Sequence, residues 1–296
     1  MCFIFTQIND LSPSRFTTRL YKYAKPNCRR RFYKACADYV DAVGKEADDR
    51  VQGKVLDPVS FEKLRRDTSG SYTCFDLIEL ALDIDLPDEV FEHPTFRNLR
   101  DWGCDLIWWG NVSLRRPDLV PDLPIDRVPF QDLYSYDLEQ SRGLEGSNVL
   151  RVLMEANNCT LQDAVDRSKV LFGDLMSRFI AERKRLPSWG PDLDRDVSLY
   201  VDTLCYWIVG NLHWCLETPR YFGTSREYVR RTRIVKLRPR KVEAKSDGNA
   251  LCGGSTGDPS WSSFIIRSIQ ASMLYLVISM LLLAYVYHIP KFELAL

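Results

Sequence analysis

The stretch CRRRFYKACADYVDAVGKEADDR, residues 28–50, decides the fold class. Phe32, Ala35, Cys36, Tyr39, Val40 and Val43 recur in it at spacings of three and four. That period collects them on one stripe of an α-helix and scatters them over both faces of a strand. Working outward, DPVSFEKLRRDTSG (57–70) opens with Asp57 as a cap before Pro58 and stops at Gly70, the chemistry of a helix start and a helix break. LPDEVFEHPTFRNLRDWGCDLIWWGN (86–111) grows strongly apolar toward Trp108 and Trp109. DLYSYDLEQSRG, NVLRVLMEANN, TLQDAVDRSKVLFGDLMSRFIAERKRL and DRDVSLYVDTLCYWIVGNLHWCLETPRYFG continue the pattern to Gly223. Thr160 with Asp163 forms an acidic variant of the capping box. No stretch alternates apolar and polar residues as a half-buried strand does. The expected fold is all-α.

Two segments interrupt the helices. Residues 112–131, VSLRRPDLVPDLPIDRVPFQ, hold Pro117, Pro121, Pro124 and Pro129; prolines at that density forbid a helix interior, so the segment reads as an inserted loop. From Lys241 a Gly/Ser-rich linker runs to about residue 264. After it, Ser268 to His288 contains no Asp, Glu, Lys or Arg. A helix of that length covers about 30 Å, enough to span a bilayer. Arg238, Arg240, Lys241 and Lys245 on its N-terminal side favour keeping the main domain cytosolic. The expected organisation is an irregular segment 1–19, a helical domain 20–240 with the 112–131 insertion, a linker 241–264 and a transmembrane tail 265–296.

Composition narrows the function. The chain has 296 residues, 45% hydrophobic and 27% charged, so it can bury a core and is not disordered in bulk. Forty basic residues balance forty acidic ones, which argues against a dedicated nucleic-acid binder. The nine cysteines form no CxxC pair and are odd in number, a pattern of reduced, buried thiols and not of a disulfide framework or zinc site. The three histidines are scattered. Serine-hydrolase, zinc-protease, P-loop and GxGxxG signatures are absent.

The residues that carry chemistry lie in QDLYSYDLEQSRG, 131–143. Gln131, Ser135 and Glu139 fall at i, i+4 and i+8 on one helix face. An amide oxygen, a hydroxyl and a carboxylate there are hard donors suited to Mg²⁺. Arg142, about one turn on, places a cation next to them, suited to a phosphate. Upstream, Arg65 and Arg66 precede the helix break at Gly70; downstream, Arg220 and Tyr221 close a long apolar helix. Phe75, Trp108, Trp109, Tyr206, Trp207 and Trp214 are aromatics that could line a cavity.

In this order these pieces resemble the class I terpene synthases, in particular the fungal, basidiomycete-type sesquiterpene synthases. Asp132, Leu133, Ser135 and Glu139 match the family's second metal motif, N-D-L-x-S-x-x-x-E, with Arg142 as its following basic residue. Arg66 matches the diphosphate sensor, Gly70 the helix-break effector, and Arg220 with Tyr221 the C-terminal RY pair. The resemblance runs from about residue 20 to 240. It implies a class I helical bundle, Mg²⁺, and farnesyl diphosphate as the substrate ionised and cyclised. The implied metal ligands are Asn111, Ser135 and Glu139; Arg66, Arg142, Arg220 and Tyr221 would hold diphosphate, and Phe75 and Trp214 would form cavity wall. No residue is assigned a separate catalytic role.

The chain departs from the family pattern in three places. Gln131 stands where the family has Asn; removing 112–131 joins Asn111 to Asp132 and completes the motif as WWGN-DLYSYDLE. The excised piece spans 20 codons, and its Val-Ser start and Gln end are compatible with the GT start and CAG end expected of a retained intron translated in frame. Gln131 keeps the i, i+4, i+8 register as a substitute for Asn111. Secondly, no DDxxD or DExxD motif stands upstream of Arg66; Asp48-Asp49 lacks the third acid and reads as a solvated helix end. The bundle is therefore expected to be incomplete, with its opening helices missing and activity lost or impaired. Thirdly, the hydrophobic tail is no part of the family pattern. The alternatives to an impaired synthase are an active sesquiterpene synthase and a tail-anchored helical scaffold.

Overall fold

A computed structural model of the chain describes residues 15–109, 131–232 and 234–240. The chain divides into two units, Met1–Pro239 and Arg240–Leu296, and the helices below belong to the first. The N-terminal segment, the 112–130 part of the insertion and the tail, with the 268–288 run, lie outside the described residues. Among the described residues no helix is long and apolar enough to cross a membrane.

Every regular element described is helical, as the periodicity predicts. In chain order they are α1 (Arg15–Tyr23), α2 (Pro26–Val51), α3 (Pro58–Thr68), α4 (Ser71–Leu82), α5 (Asp88–Glu92), α6 (Pro94–Trp109) and α7 (Gln131–Ser141). A 3₁₀ turn at Glu145–Ser147 leads to α8 (Val149–Asn157), α9 (Leu161–Arg183), α10 (Pro191–Glu217) and α11 (Pro219–Phe222). A second 3₁₀ turn, Gly223–Ser225, leads to α12 (Arg226–Thr232).

The predicted caps are present. Asp57 accepts hydrogen bonds from the Val59 and Ser60 amides, both at 3.0 Å, meeting two of the donors that α3 leaves open at its start. Hydrogen bonding to Ser60, through its side chain first and then its amide, holds the Asp57 carboxyl below the usual range. Thr160 and Asp163 bond reciprocally as a capping box at the head of α9.

α6 is the pivot of the bundle, packing against α3, α4, α7, α9 and α10. Its buried set, Phe96, Leu99, Cys104, Leu106, Ile107 and Trp108, lies on more than one side, which a helix covered by several neighbours requires. At Gly103 α10 comes close: a Cβ there would meet the Leu204 side chain at 3.1 Å. The stripe predicted on α2 is only partly core. Cys28, Phe32 and Ala42 are buried, whereas Ala35, Cys36, Tyr39, Val40 and Val43 are half-buried.

The place of a buried apolar residue on α2 is taken by Arg31, whose side chain is 9% exposed. One of its Nη atoms lies 2.9 Å from both carboxylate oxygens of Glu79 and donates to the Leu86 carbonyl at 2.7 Å. Its guanidinium also stacks 3.7 Å from the centre of the Phe91 ring. The Leu86 amide completes the knot by donating to Glu79 at 2.7 Å. This ion pair ties α2 to α4 and the turn into α5.

Candidate functional site

The α3–α4 junction sets the first part of the site. Ser69 ends α3, and Gly70 takes φ 73° before Ser71 begins α4. A left-handed residue turns the chain sharply between two helices, and glycine adopts it without the Cβ penalty. The nearest atom to a Cβ built at Gly70 is on Tyr39, 3.7 Å away, so conformation and not crowding selects glycine here. The break predicted at Gly70 is therefore real, four residues after Arg66.

Arg66 points from α3 to α6. Its Nε donates to Asp105 at 2.7 Å, and an Nη donates to the other carboxylate oxygen and to Glu62, each at 2.5 Å. The Asp105 side chain is 2% exposed and also accepts from the Trp108 indole N–H at 3.1 Å. Burial pushes the Asp105 carboxyl up to about 6, against the pull of Arg66. Burial opposes the charge on Arg66, yet the hydrogen bonds and charge of Asp105 hold its pKa above the ordinary guanidinium value.

Asp105 and Glu62 line a cavity of about 220 Å³ together with Phe61, Trp102, Trp108 and Trp109. Trp108 meets Phe61 edge-on at 5.8 Å and Trp109 at 5.2 Å between ring centres. The volume is below the roughly 300 Å³ at which small-molecule pockets usually begin. Of the aromatics singled out in the sequence, Trp108 and Trp109 line this cavity and Phe75 and Trp214 do not. Phe75 is fully buried in α4 with Tyr72 against its ring. Trp214 packs against Tyr221 in the cluster formed with Cys215, Phe222 and Val229. Tyr206 is exposed and Trp207 buried.

Ser135 and Glu139 converge, as their spacing predicts. The side-chain amide of Asn148 donates to Glu139 Oε2 at 2.9 Å and to Ser135 Oγ at 3.4 Å. One donor thus sits where the hydroxyl and the carboxylate meet. Asn148 is itself fully buried and fixed by its other side, accepting from the Leu150 amide at 2.9 Å as the cap of α8. Val149, the next residue, lines the aromatic cavity.

The remaining candidates are placed less uniformly. Arg142 is exposed beyond the end of α7. Arg220 lies in α11, its side chain outside the described residues, as is that of Gln131 at the head of α7. Asn111 lies outside the described residues. Tyr221 is buried, and its carbonyl accepts from Arg238 at 3.2 Å. Arg66 is thus oriented by Asp105 and Glu62, whereas the Ser135–Glu139 pair faces Asn148.

A hydroxyl and a carboxylate one turn apart on one helix face fit a hard divalent cation. Mg²⁺ takes one or two carboxylates from a protein and completes its shell with water and phosphate oxygens. Among the described residues no three His, Cys, Asp or Glu side chains cluster as a metal cage.

Residues 11–178 match the family model described as terpene synthase family 2, C-terminal metal binding. The chain belongs to this terpene synthase family. Among curated proteins it is 40% identical over 226 residues to sesquiterpene synthase Agr1 of Cyclocybe aegerita, covering 76% of this chain and 59% of that one. It is 38% identical to sesquiterpene synthase 1 of Postia placenta, covering 77% of this chain and 61% of that protein. The chain thus spans about three fifths of the length of these synthases. Among solved structures, a-eudesmol synthase aligns with a TM-score of 0.55 at 21% identity, over 68% of this chain and 59% of that one. That likeness establishes for this terpene synthase the all-α fold expected from its periodicity.

Asp105 and Asn148 were missed by sequence reasoning as parts of the site. Asn148 stands before the apolar run VLRVL and so reads only as a helix cap; its second contact, to Glu139, is tertiary. Asp105 lies in an apolar helix among Cys104, Leu106 and Ile107, and an acid inside such a run is the available signal for a buried charge with a partner.

Proposed function

We propose that this chain holds a magnesium-bound prenyl diphosphate, farnesyl diphosphate by kinship with the sesquiterpene synthases. The observation that supports it is the meeting of Ser135 Oγ and Glu139 Oε2 at the amide of Asn148. In this reading the two oxygens hold Mg²⁺, with Asn111 or Gln131 as the third donor. Arg66, Arg142, Arg220 and Tyr221 bind diphosphate oxygens, for which guanidinium groups are suited by charge and fork geometry. Gly70 lets the backbone turn beside the sensor arginine. Phe75 and Trp214 hold the surrounding helices in place by packing. Mg²⁺ bound there would neutralise charge on the departing diphosphate.

The test uses the full chain, titrated calorimetrically with inorganic pyrophosphate. Binding is expected only with Mg²⁺ present, and Glu139→Ala should weaken it by at least ~10-fold, since a charge-assisted metal contact is removed. Binding that ignores Mg²⁺ or Glu139 would remove the site.

The uncharged run 268–288 supports a second inference, that the domain is held at a membrane by this tail. The chain should then sediment with membranes through an alkaline wash, and deletion of 265–296 should release it. Release of the undeleted chain by the same wash would dismiss the anchor.

A further inference from the structure

After α12 the chain runs without regular structure over residues 234–240 and is mostly exposed. One residue of this strap makes a dense set of contacts. The Arg238 amide donates to Asp137 Oδ1 at 2.6 Å, and its Nε lies 3.1 Å from Oδ2. The Arg238 carbonyl accepts from the Gln140 side chain at 2.7 Å. An Nη donates to the carbonyl of Tyr221 at 3.2 Å. Asp137 and Gln140 are only 5% and 6% exposed, so the strap shields the groups that it grips.

The position of this grip on α7 matters. At about 100° per residue, Asp137 stands about 200° round the helix from Ser135. Ser135 and Glu139 form the front face, held by Asn148; Asp137 and Gln140 lie at the back, held by Arg238. α7 is an 11-residue helix, and helices this short owe their order mainly to tertiary contacts. Rotation about its own axis is the motion that would move Ser135 and Glu139 away from their common point. Contacts on opposite faces oppose that rotation.

We propose that Arg238 is a positioning residue, which sets the rotation of α7 and thereby the Ser135–Glu139 pair, and couples it to Tyr221. The proposal rests on the diphosphate-site reading above. Its grip on the backbone of Tyr221 ties the end of α11 to the same helix, so the two parts of the site are aligned through one side chain.

The experiment compares the full chain with Arg238→Ala, Arg238→Lys and Asp137→Asn. Magnesium-dependent binding of inorganic pyrophosphate is measured by calorimetry, and amide hydrogen exchange by mass spectrometry. Arg238→Ala should weaken binding about 10- to 100-fold, the usual effect of removing a residue that orients metal ligands. Exchange should quicken in peptides covering 131–141 and stay unchanged in those covering α2. Arg238→Ala and Arg238→Lys both keep the backbone bonds of residue 238 and differ in the cation that faces Asp137, so Arg238→Lys should recover part of the loss; Asp137→Asn, which removes the carboxylate charge, should repeat it. Unchanged exchange in 131–141 would overturn the proposal, as would quickening spread evenly over all helices, which marks general destabilisation. So would wild-type pyrophosphate affinity in Arg238→Ala. If the wild-type chain binds no pyrophosphate, the reading of the site fails, and the exchange comparison alone decides whether Arg238 orients α7.

Discussion

Replacing Arg31 with Leu is expected to cost about 3–5 kcal/mol of folding stability, the range found when one partner of a buried ion pair is removed. Glu79 has no exposed side-chain surface and would keep only the Leu86 amide among the partners described here. The loss of the Phe91 stacking contact adds to this. The change should appear as a fall in the urea midpoint with little change in slope. The double variant Arg31→Leu/Glu79→Leu should recover much of the loss, because two apolar groups remove both charges together. A double variant as unstable as the single would mean that the penalty does not come from the stranded carboxylate.

The same pair has a pH signature. Burial raises the Glu79 carboxyl from its ordinary value to about 7, against the pull of Arg31. A folded-state pKa above the unfolded value means that the native chain binds the extra proton. The stability from this group is then complete below about pH 4.5 and is lost as pH rises to about 7, by up to ~1.4 kcal/mol per pH unit. Without Arg31 the carboxyl rises further, so the loss continues above pH 7. The deficit of Arg31→Leu should therefore be larger at pH 8 than at pH 5. An equal deficit at both would show that Glu79 does not change its protonation.

Arg66→Ala should show the second large effect, and it separates stability from function. Asp105 would retain the Trp108 indole as a donor but lose its counter-charge, at a cost of about 3 kcal/mol or more. Adding Asp105→Asn removes the stranded charge and should restore part of the stability. On the proposed reading it should not restore magnesium-dependent pyrophosphate binding, because the cation proposed to meet diphosphate is still missing. Recovery of binding in the double variant would show that Arg66 serves the fold alone.

Much of this architecture is legible before any coordinates. The spacing of Phe32 to Val43, the Asp57 and Thr160 caps and the break at Gly70 all depend on neighbours within a few residues, and the structure repeats them. The i, i+4 relation of Ser135 and Glu139 is of the same kind. Phe75 and Trp214 show the limit of such reading: an aromatic in an apolar helix looks the same whether it faces a cavity or a packed neighbour, and only the fold shows that Phe75 lies against Tyr72 and Trp214 against Tyr221.

What local pattern determined about this protein is its helices, their ends and the face on which the oxygen donors stand, because backbone geometry repeats every 3.6 residues whatever surrounds it. Only the tertiary structure decided which charges meet: Arg31 with Glu79 across 48 positions, Arg66 with Asp105 across 39, and Arg238 with Asp137 across 101. The first two pairings follow from how helices cross and the third from where the strap after α12 lies on α7; a charge buried at such a contact holds only if its counter-charge arrives from another part of the chain.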